Sequence, residues 1–357
     1  MVRQRRILAA CALAAFGLMA AAAPAAAQRS AKKPVKTYKT RDGKTFRDAG
    51  KAPLSERVDR QGRVTESVHR VVGEDGKPAI AKTFHQVFGQ PAWRPSERAS
   101  GASNQLRNME ARGQKRVPKT LGVASDGYGA SVIMTAAKGK DLAVIGARKR
   151  RPSLRSIART IAAAADVVGQ RQRRSPYSKR QGGFIHQDIK PQHIFVEDIN
   201  AVRPKVTVID WENMVETGTP GFPKMITPAF AAPEVWTSKP RTWAADVYSM
   251  GASLRYMVTG QAFDGKAFDA AYAIDRKNQR AATQLMLDGA SVEEAAAQFP
   301  TNNLEKAIRA ELARPYNAPP GLKAIIDKAM SYNPADRYQS NKQLARALRD
   351  WAATRKR

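Results

Sequence analysis

The stretch Phe184–Val196, which reads FIHQDIKPQHIFV, concentrates the residues of this chain that are best suited to chemistry. Asp188 and Lys190 follow His186 at alternate positions, and Pro191 rigidifies the segment after them. An apolar run stands on each side of these polar residues. We therefore predict a loop between two short strands that holds charged side chains at a fixed place. Positioning and electrostatic stabilisation are the chemistry that such fixed charges can supply.

The order of these residues resembles the catalytic loop of the protein-kinase superfamily, H-R-D-L-K-P-x-N. The resemblance implies that Asp188 accepts the proton of an attacking hydroxyl, while Lys190 neutralises the γ-phosphate of ATP. Two residues depart from the pattern. Gln187 replaces the arginine, so we expect no switching by a phosphorylated activation segment. His193 replaces the asparagine that binds a second Mg²⁺, and imidazole suits softer metals. A single metal, the use of Mn²⁺ and a weak site all remain open.

A second acidic position follows the apolar run Val206–Ile209, where the chain reads Asp210-Trp211-Glu212. This tripeptide stands where kinases carry D-F-G. The resemblance implies that Asp210 coordinates Mg²⁺ bridging the nucleotide phosphates. Trp211 can replace the packing aromatic, whereas Glu212 replaces glycine and adds a negative charge near the metal.

Lys82 ends the strand-like run Ala79-Ile80-Ala81-Lys82, which resembles the V-A-I-K strand of kinases. By that resemblance Lys82 pairs with the nucleotide phosphates. A glycine-rich loop should precede Val68, but only Gly62 stands there, and Glu66 occupies a position where glycine is expected. Tight phosphate cradling is therefore in doubt, and Arg63 could substitute as a charge.

A helix predicted over Ala102–Ala111 should supply a glutamate to Lys82, but the expected position falls near Asn104 or Gln105. A buried charge that lacks its partner costs about 3–5 kcal/mol. We therefore expect Lys82 to pair elsewhere, for example with Asp210, or to stay partly solvated.

Alternation within Arg57–Phe84 predicts a small antiparallel sheet with a hairpin at Glu74–Lys77. Ser131–Thr135 is typical of a buried strand that leads into a linker. Asp141 follows at a position resembling the one that opens the larger lobe of kinases, which implies a nucleotide-binding role. Helical spacing then predicts a core helix over Leu154–Val168.

The segment Thr227–Glu234, TPAFAAPE, resembles the T-x-x-Y-x-A-P-E end of the kinase activation loop. The resemblance implies that Thr227 contacts Asp188 and Lys190 near the acceptor. Lys190 together with Thr227 resembles the serine/threonine subgroup.

Two further segments resemble the family. Asp246 begins D-V-Y-S-M-G on a predicted central helix, and by resemblance it holds the backbone of the catalytic loop. Arg337, in N-P-A-D-R, would form a buried bidentate pair with Glu234. Helical segments are predicted over Ala267–Thr301, without a functional interpretation, and over Leu344–Trp351.

These segments occur in family order, and they predict an α+β, two-lobed protein-kinase-like fold. A small β-rich N-lobe is expected over residues 58–136 and a larger helical C-lobe over 137–352. The implied function is transfer of the ATP γ-phosphoryl group to Ser/Thr hydroxyls of protein, with Mg²⁺ or Mn²⁺. Two alternatives remain open: a catalytically impaired binding module and a kinase of an anionic saccharide or lipid.

The first 27 residues have the three parts of a secretory signal peptide: a basic start, an alanine-rich apolar run and an A-x-A site at Ala25–Ala27. We therefore expect an exported protein, periplasmic or secreted, with an uncleaved membrane anchor as the alternative. Residues 28–57 are rich in Lys and Arg without apolar periodicity, and we predict a flexible basic linker. An exported kinase would meet little ATP.

Composition excludes several classes of site. The single cysteine, Cys11, lies in the predicted leader, which rules out a disulfide framework, a zinc finger and a thiol nucleophile in the mature chain. The formal net charge is +30, and basic residues also cluster in Gln170–Gly182. An anionic surface or polyanion is therefore a candidate partner beside ATP and a protein substrate, although no specific nucleic-acid motif is present.

Overall fold

The computed structural model describes residues 35–50, 52–59, 61–87, 94–126, 129–172, 183–221, 226–237 and 239–354. The predicted signal peptide, residues 1–27, lies outside these ranges, so export and cleavage stay predictions. Within the described residues, no helix combines the length and the apolar character needed to span a membrane.

The first part of the chain folds as an antiparallel sheet with one helix on it. Its elements are β1 (Thr37–Lys39), β2 (Thr45–Asp48), β3 (Ser55–Val58), β4 (Val64–Gly73), β5 (Pro78–His85), α1 (Pro95–Ala111), β6 (Thr120–Ser125) and β7 (Gly129–Thr135). The strands are ordered β1-β2-β4-β5-β7-β6, and β3 pairs with β4 beside β2. The hairpin predicted at Glu74–Lys77 is confirmed, since it joins β4 to β5.

The predicted linker over residues 28–57 is wrong for much of its length, because β1, β2 and most of β3 lie within it. Tyr38 and Phe46 face each other across β1 and β2 and are only 4% and 6% exposed. Each is a lone apolar residue among charged neighbours, so no periodicity marks the strand. An antiparallel bridge between Thr40 and Ala124 joins the two ends of the strand order and closes the sheet on itself.

The two faces of this sheet have different partners. Ala79 and Ala81 of β5 lie on the enclosed face, in a cluster with Phe46 and Tyr38. The alternate residues of β5 lie on the opposite face, where Phe84 packs against alanines of α1. Lys82 shares the face of Phe84, so the strand period aims it toward the rest of the molecule.

The second part of the chain is mainly helical. Its elements are β8 (Lys140–Asp141), α2 (Leu142–Gly146), α3 (Leu154–Gly169), β9 (Phe184–Ile185), β10 (Ile194–Val196), β11 (Val206–Val208), β12 (Val215–Glu216), α4 (Ala244–Thr259), α5 (Gly265–Leu287), α6 (Val292–Gln298), α7 (Asn303–Ala313), α8 (Pro320–Ala329) and α9 (Asn341–Ala353). Short 3₁₀ turns cover Pro191–His193, Trp211–Asn213, Pro228–Phe230, Pro233–Trp236 and Pro334–Asp336.

A large apolar core holds this helical part together. Helix α3 supplies Ile157, Ile161 and Val168, and α4 supplies Met250 and Leu254, all of them buried. The helix predicted over Leu154–Val168 therefore exists with nearly the predicted bounds.

The basic insert predicted over Gln170–Gly182 lies largely outside the described residues, which resume at Gly183. Arg171, however, does not belong to a solvated loop. It is 7% exposed, and its guanidinium stacks 4.7 Å from the centre of the Phe184 ring. Burial lowers the pKa of Arg171 to about 10, and Arg112 adds to this effect. Counting basic residues could not reveal this packing role.

Candidate active site

The loop that organises the site runs between β9 and β10, the two short strands that its apolar flanks predict. The two strands pair with different neighbours: β9 with β12, and β10 with β8 and β11. The loop is thus fixed at both ends. Pro191 opens the 3₁₀ turn Pro191–His193, where its fixed φ suits the first position.

Asp246 holds the backbone of this loop, as the resemblance implied. Its two carboxylate oxygens accept hydrogen bonds from the backbone N–H groups of His186 (2.9 Å) and Gln187 (3.0 Å). Gln187 has φ of +72°, a conformation that costs free energy for a residue with a side chain. Burial raises the pKa of Asp246, whereas His186 and the two N–H donors act in the opposite direction.

Asp188, Lys190 and Thr227 form a closed hydrogen-bonded triangle. The Lys190 ammonium donates to Asp188 Oδ2 (2.9 Å) and to Thr227 Oγ1 (2.8 Å), and the Thr227 hydroxyl donates to Asp188 Oδ1 (2.6 Å). The three predicted catalytic residues therefore come together, although Lys190 and Thr227 lie 37 positions apart in the sequence. The triangle fixes an oriented carboxylate beside a positive charge.

Arg337 and Glu234 anchor the segment that carries Thr227. The Arg337 guanidinium donates from both terminal nitrogens to the two carboxylate oxygens of Glu234, at 2.8 and 2.9 Å. The predicted bidentate pair is thus present, and the Arg337 side chain is fully buried. It ties the end of the activation-loop-like segment to the helical core.

Asp188, His193 and Asp210 form the candidate metal centre. Their ligand atoms lie within 4.8 Å of one another. His193 Nδ1 lies 2.7 Å from the backbone oxygen of Asp188, which only accepts, so Nδ1 carries the proton. Burial lowers the pKa of His193 to about 4, and Lys190 contributes to this shift against the opposing effect of Asp210.

Neutral His193 therefore presents an unprotonated Nε2 to Asp210 Oδ2, 3.2 Å away. Two lone pairs that face each other at this distance repel, and a bound cation would resolve the conflict. One imidazole nitrogen and two carboxylates form a donor set that can hold a divalent ion, and the imidazole makes it less suited to Mg²⁺ than an all-oxygen set would be. The residues present therefore fit a metal at this place.

Lys82 reaches the site from β5 and pairs with Asp210, one of the partners expected from the sequence. Its ammonium lies 2.9 Å from Asp210 Oδ1. Burial disfavours both charges, but Lys82 and His193 lower the pKa of Asp210, and Asp210 and Glu212 raise the pKa of Lys82. Asp210 itself has left-handed backbone geometry, with φ of +63°. A non-glycine residue in this conformation is often a site residue.

Two more carboxylates surround Lys82, and sequence reasoning gave neither of them this role. Glu66 lies 3.7 Å from the ammonium, and Glu212 is in direct contact with it. From the sequence, Glu66 was noted only as a residue that stands where a glycine is expected. The strand register could have revealed it, because Val68 pairs with Lys82 and Glu66 lies two residues further along the same face.

Glu212 is the less strongly ionised of the two. Burial raises its pKa, and the charge of Asp210 adds to this effect, although Lys82 opposes it. Gln105, the helix position where a glutamate is expected, reaches the same turn. With its amide nitrogen facing them, it donates to the carbonyls of Trp211 (3.2 Å) and Glu212 (3.3 Å).

Asp141 and Arg63 lie in other arrangements. Asp141 is the N-cap of α2, where its carboxylate accepts from the backbone N–H of Val144 at 2.9 Å. Its nucleotide-binding role therefore stays a prediction. Arg63 lies in the turn between β3 and β4, where its Nε lies 2.7 Å from the carboxylate of Asp59. A phosphate would have to compete with Asp59 for this charge.

The fold and the site together define a two-lobed domain of the protein-kinase type. The family described as "Protein kinase domain" matches residues 105–348, which is more than half of the chain. The chain therefore belongs to the protein-kinase domain family, and the predicted superfamily and α+β two-lobed fold are confirmed. The match begins inside α1, so β5 and Lys82 precede it.

Several relatives are serine/threonine-protein kinases of bacteria. PknD of Mycobacterium tuberculosis (strain ATCC 25618 / H37Rv) is 27% identical over 209 residues, which are 56% of this chain and 24% of that protein. PkaA of Streptomyces coelicolor is 28% identical over 172 residues, 47% of this chain and 25% of that protein. PknJ of M. tuberculosis is 31% identical over 126 residues, 34% and 21% of the two chains. The aligned part is about a quarter or less of each relative's length.

Proposed function

We propose that this chain transfers the γ-phosphoryl group of ATP to serine or threonine hydroxyls of a protein substrate. The observation that carries the proposal is the triangle of Asp188, Lys190 and Thr227, with Asp210 and Lys82 paired beside it. The names of the bacterial relatives support the choice of acceptor, and so does the presence of both Lys190 and Thr227.

The residues of the chain divide the work between orientation and charge. Asp188 is held by Lys190 and Thr227, so an acceptor hydroxyl that displaces part of this network meets a carboxylate already aimed at it. Lys190 remains beside the reacting groups and stabilises negative charge as it develops. Lys82 supplies a second cation, which is suited to the non-transferred phosphates.

Asp210 and His193 would hold a divalent metal together with Asp188, since their ligand atoms converge. When bound, such an ion supplies charge neutralisation for the nucleotide phosphates. The imidazole makes Mn²⁺ a candidate beside Mg²⁺.

Transfer of radiolabelled γ-phosphate tests the proposal. The full chain is incubated with ATP and either metal, with peptide and saccharide acceptors offered in parallel. We expect incorporation into Ser/Thr peptide or into the chain itself, and loss of incorporation in Asp188→Asn. Equal incorporation by the parent and by Asp188→Asn would refute the catalytic assignment. Labelling confined to the saccharide would indicate that the acceptor is a saccharide and not a protein.

A second candidate is a nucleotide-binding module without turnover. The contact between Glu212 and Lys82 favours this second candidate, because the carboxylate already pairs with the lysine that would otherwise bind a phosphate. A thermal shift on adding ATP, in the absence of any phosphate transfer, would support the module.

The proposed setting is outside the cytoplasm, on the strength of the leader-like first 27 residues. Contact with an anionic surface is a further proposal, which the net charge of +30 supports. Fractionation of the native host and a vesicle-binding assay would test these two statements.

A further inference from the structure

We propose that Glu66, oriented by Arg98, is the residue that positions Lys82 for the nucleotide phosphates. This inference rests on the proposed function and assigns a role within that site. In this assignment the carboxylate that holds Lys82 comes from strand β4 and not from helix α1.

The geometry places Glu66 on the correct face at the correct depth. In the register of β4 and β5, Val68 lies opposite Lys82 and Glu66 lies opposite Phe84. Glu66 is 5% exposed, and its Oε2 lies 3.7 Å from the Lys82 ammonium. The carboxylate is therefore built into the sheet beside the lysine.

Two arginines hold the other oxygen of Glu66. Arg98 donates to Oε1 at 2.5 Å, and Arg57 donates to the same atom at 3.1 Å. The Arg98 guanidinium also stacks 4.3 Å from the centre of the Phe84 ring. Burial opposes ionisation of Glu66, but Lys82 and the two arginines outweigh it and lower the pKa of Glu66. Glu66 is thus a fixed anion.

The other two carboxylates near Lys82 are less suited to this task. Asp210 belongs to the candidate metal centre, so its charge would be shared with the bound ion. Glu212 lies two residues after Asp210, in the 3₁₀ turn Trp211–Asn213, so it belongs to the segment that carries the candidate metal ligand. Glu66 instead lies on β4, outside this segment, where two arginines fix its carboxylate.

Helix α1 contributes a positive charge to this network, whereas the family pattern has a glutamate on this helix. It contributes the cation Arg98, while Gln105 donates an amide to the carbonyls of the Asp210–Glu212 turn. The chain of contacts runs from Arg98 to Glu66 to Lys82. Displacement of α1 would leave Glu66 held by Arg57 alone, so nucleotide affinity is coupled to the position of this helix.

The test compares binding of ATP and of adenosine, each with Mn²⁺ and with Mg²⁺, by calorimetry on the full chain. Because Lys82 addresses phosphates, we expect Glu66→Gln to weaken ATP binding about tenfold, equivalent to ~1.4 kcal/mol, and to leave adenosine binding unchanged. Arg98→Gln should weaken ATP binding in the same sense. The double variant should bind ATP no more weakly than Glu66→Gln alone, because Arg98 acts on Lys82 only through Glu66.

Exposed residues of the same types serve as controls: Glu56→Gln on β3 and Arg94→Gln before α1 should leave ATP binding unchanged. Glu66→Asp keeps the charge and should recover part of the affinity, which also covers the case in which Glu66→Gln folds poorly. Equal losses for ATP and adenosine, or additive losses in the double variant, would overturn the inference. If the parent binds no ATP, the proposed function fails as well; if it binds ATP and Glu66→Gln binds equally, only the role of Glu66 fails.

Discussion

Replacing Arg337 with methionine tests the anchor of the segment that carries Thr227. The guanidinium makes five hydrogen bonds: two to Glu234 and one each to the backbone oxygens of Ser331, Ala244 and Tyr332. It also lies 4.9 Å from the centre of the Tyr248 ring. Methionine retains much of the apolar contact and removes every donor.

The expected loss follows from this burial. Breaking one side of a buried ion pair costs about 3–5 kcal/mol, because the remaining charge is left without a partner. Three carbonyls also lose a donor, each worth about 1 kcal/mol when buried. We therefore expect Arg337→Met to lower the free energy of unfolding by about 4 kcal/mol or more, near the upper part of the range for single substitutions.

Equilibrium unfolding in urea, followed by tryptophan fluorescence and circular dichroism, measures this loss. Glu234→Gln removes the stranded charge, so the double variant should lose less than the sum of the single losses by about 2 kcal/mol. Arg349→Met is the matched control. Arg349 pairs with Asp166 at the surface, with half of its side chain exposed, and its loss should cost no more than about 1 kcal/mol. Equal losses for Arg337→Met and Arg349→Met would refute the reasoning.

Three further predictions concern the site. Asp246→Asn removes the carboxylate that holds two backbone N–H groups of the catalytic loop; phosphate transfer should fall at least tenfold while the circular dichroism spectrum is retained, and unchanged kcat would contradict this role. The pKa of His193 is lowered to about 4 in the folded protein. As pH falls below about 6.5, the His193 imidazole therefore becomes protonated in the unfolded chain while it stays neutral in the folded one. Between pH 6.5 and 4 this difference should lower the free energy of unfolding by about 3 kcal/mol in urea titrations of the parent. His193→Asn should not show this contribution. The same substitution should shift metal preference from Mn²⁺ toward Mg²⁺ in calorimetric titrations, and an unchanged ratio of the two dissociation constants would argue against an imidazole ligand.

Local motifs carried most of what the sequence could predict about the site. The catalytic loop, the Thr227 segment and the Arg337 pair each depend on a few adjacent residues whose types are tightly constrained by geometry. Asp188, Lys190 and Thr227 meet where the resemblance placed them. Helix α3 was predictable for a different reason, since a long amphipathic helix repeats its signal over several turns.

The features that were missed depend on pairings between distant parts of the chain. β1 and β2 are three and four residues long, and each contributes one buried aromatic, which is too little for a periodic pattern. Glu66 gains its role only from strand register. Arg171 resembles its basic neighbours in sequence, and only the packing of its guanidinium on Phe184 separates it from them.

The closed sheet of the small lobe limits how this protein can recognise other chains. β2 and β3 share one edge of β4, and Arg41 donates a backbone hydrogen bond to Val123 of β6 next to the Thr40–Ala124 bridge. Among the described strands, β3 pairs with β4 alone, so the outer edge of β3 is where an incoming peptide could extend the sheet. A partner docking elsewhere on this lobe would have to be selected by side chains on its helix and turns.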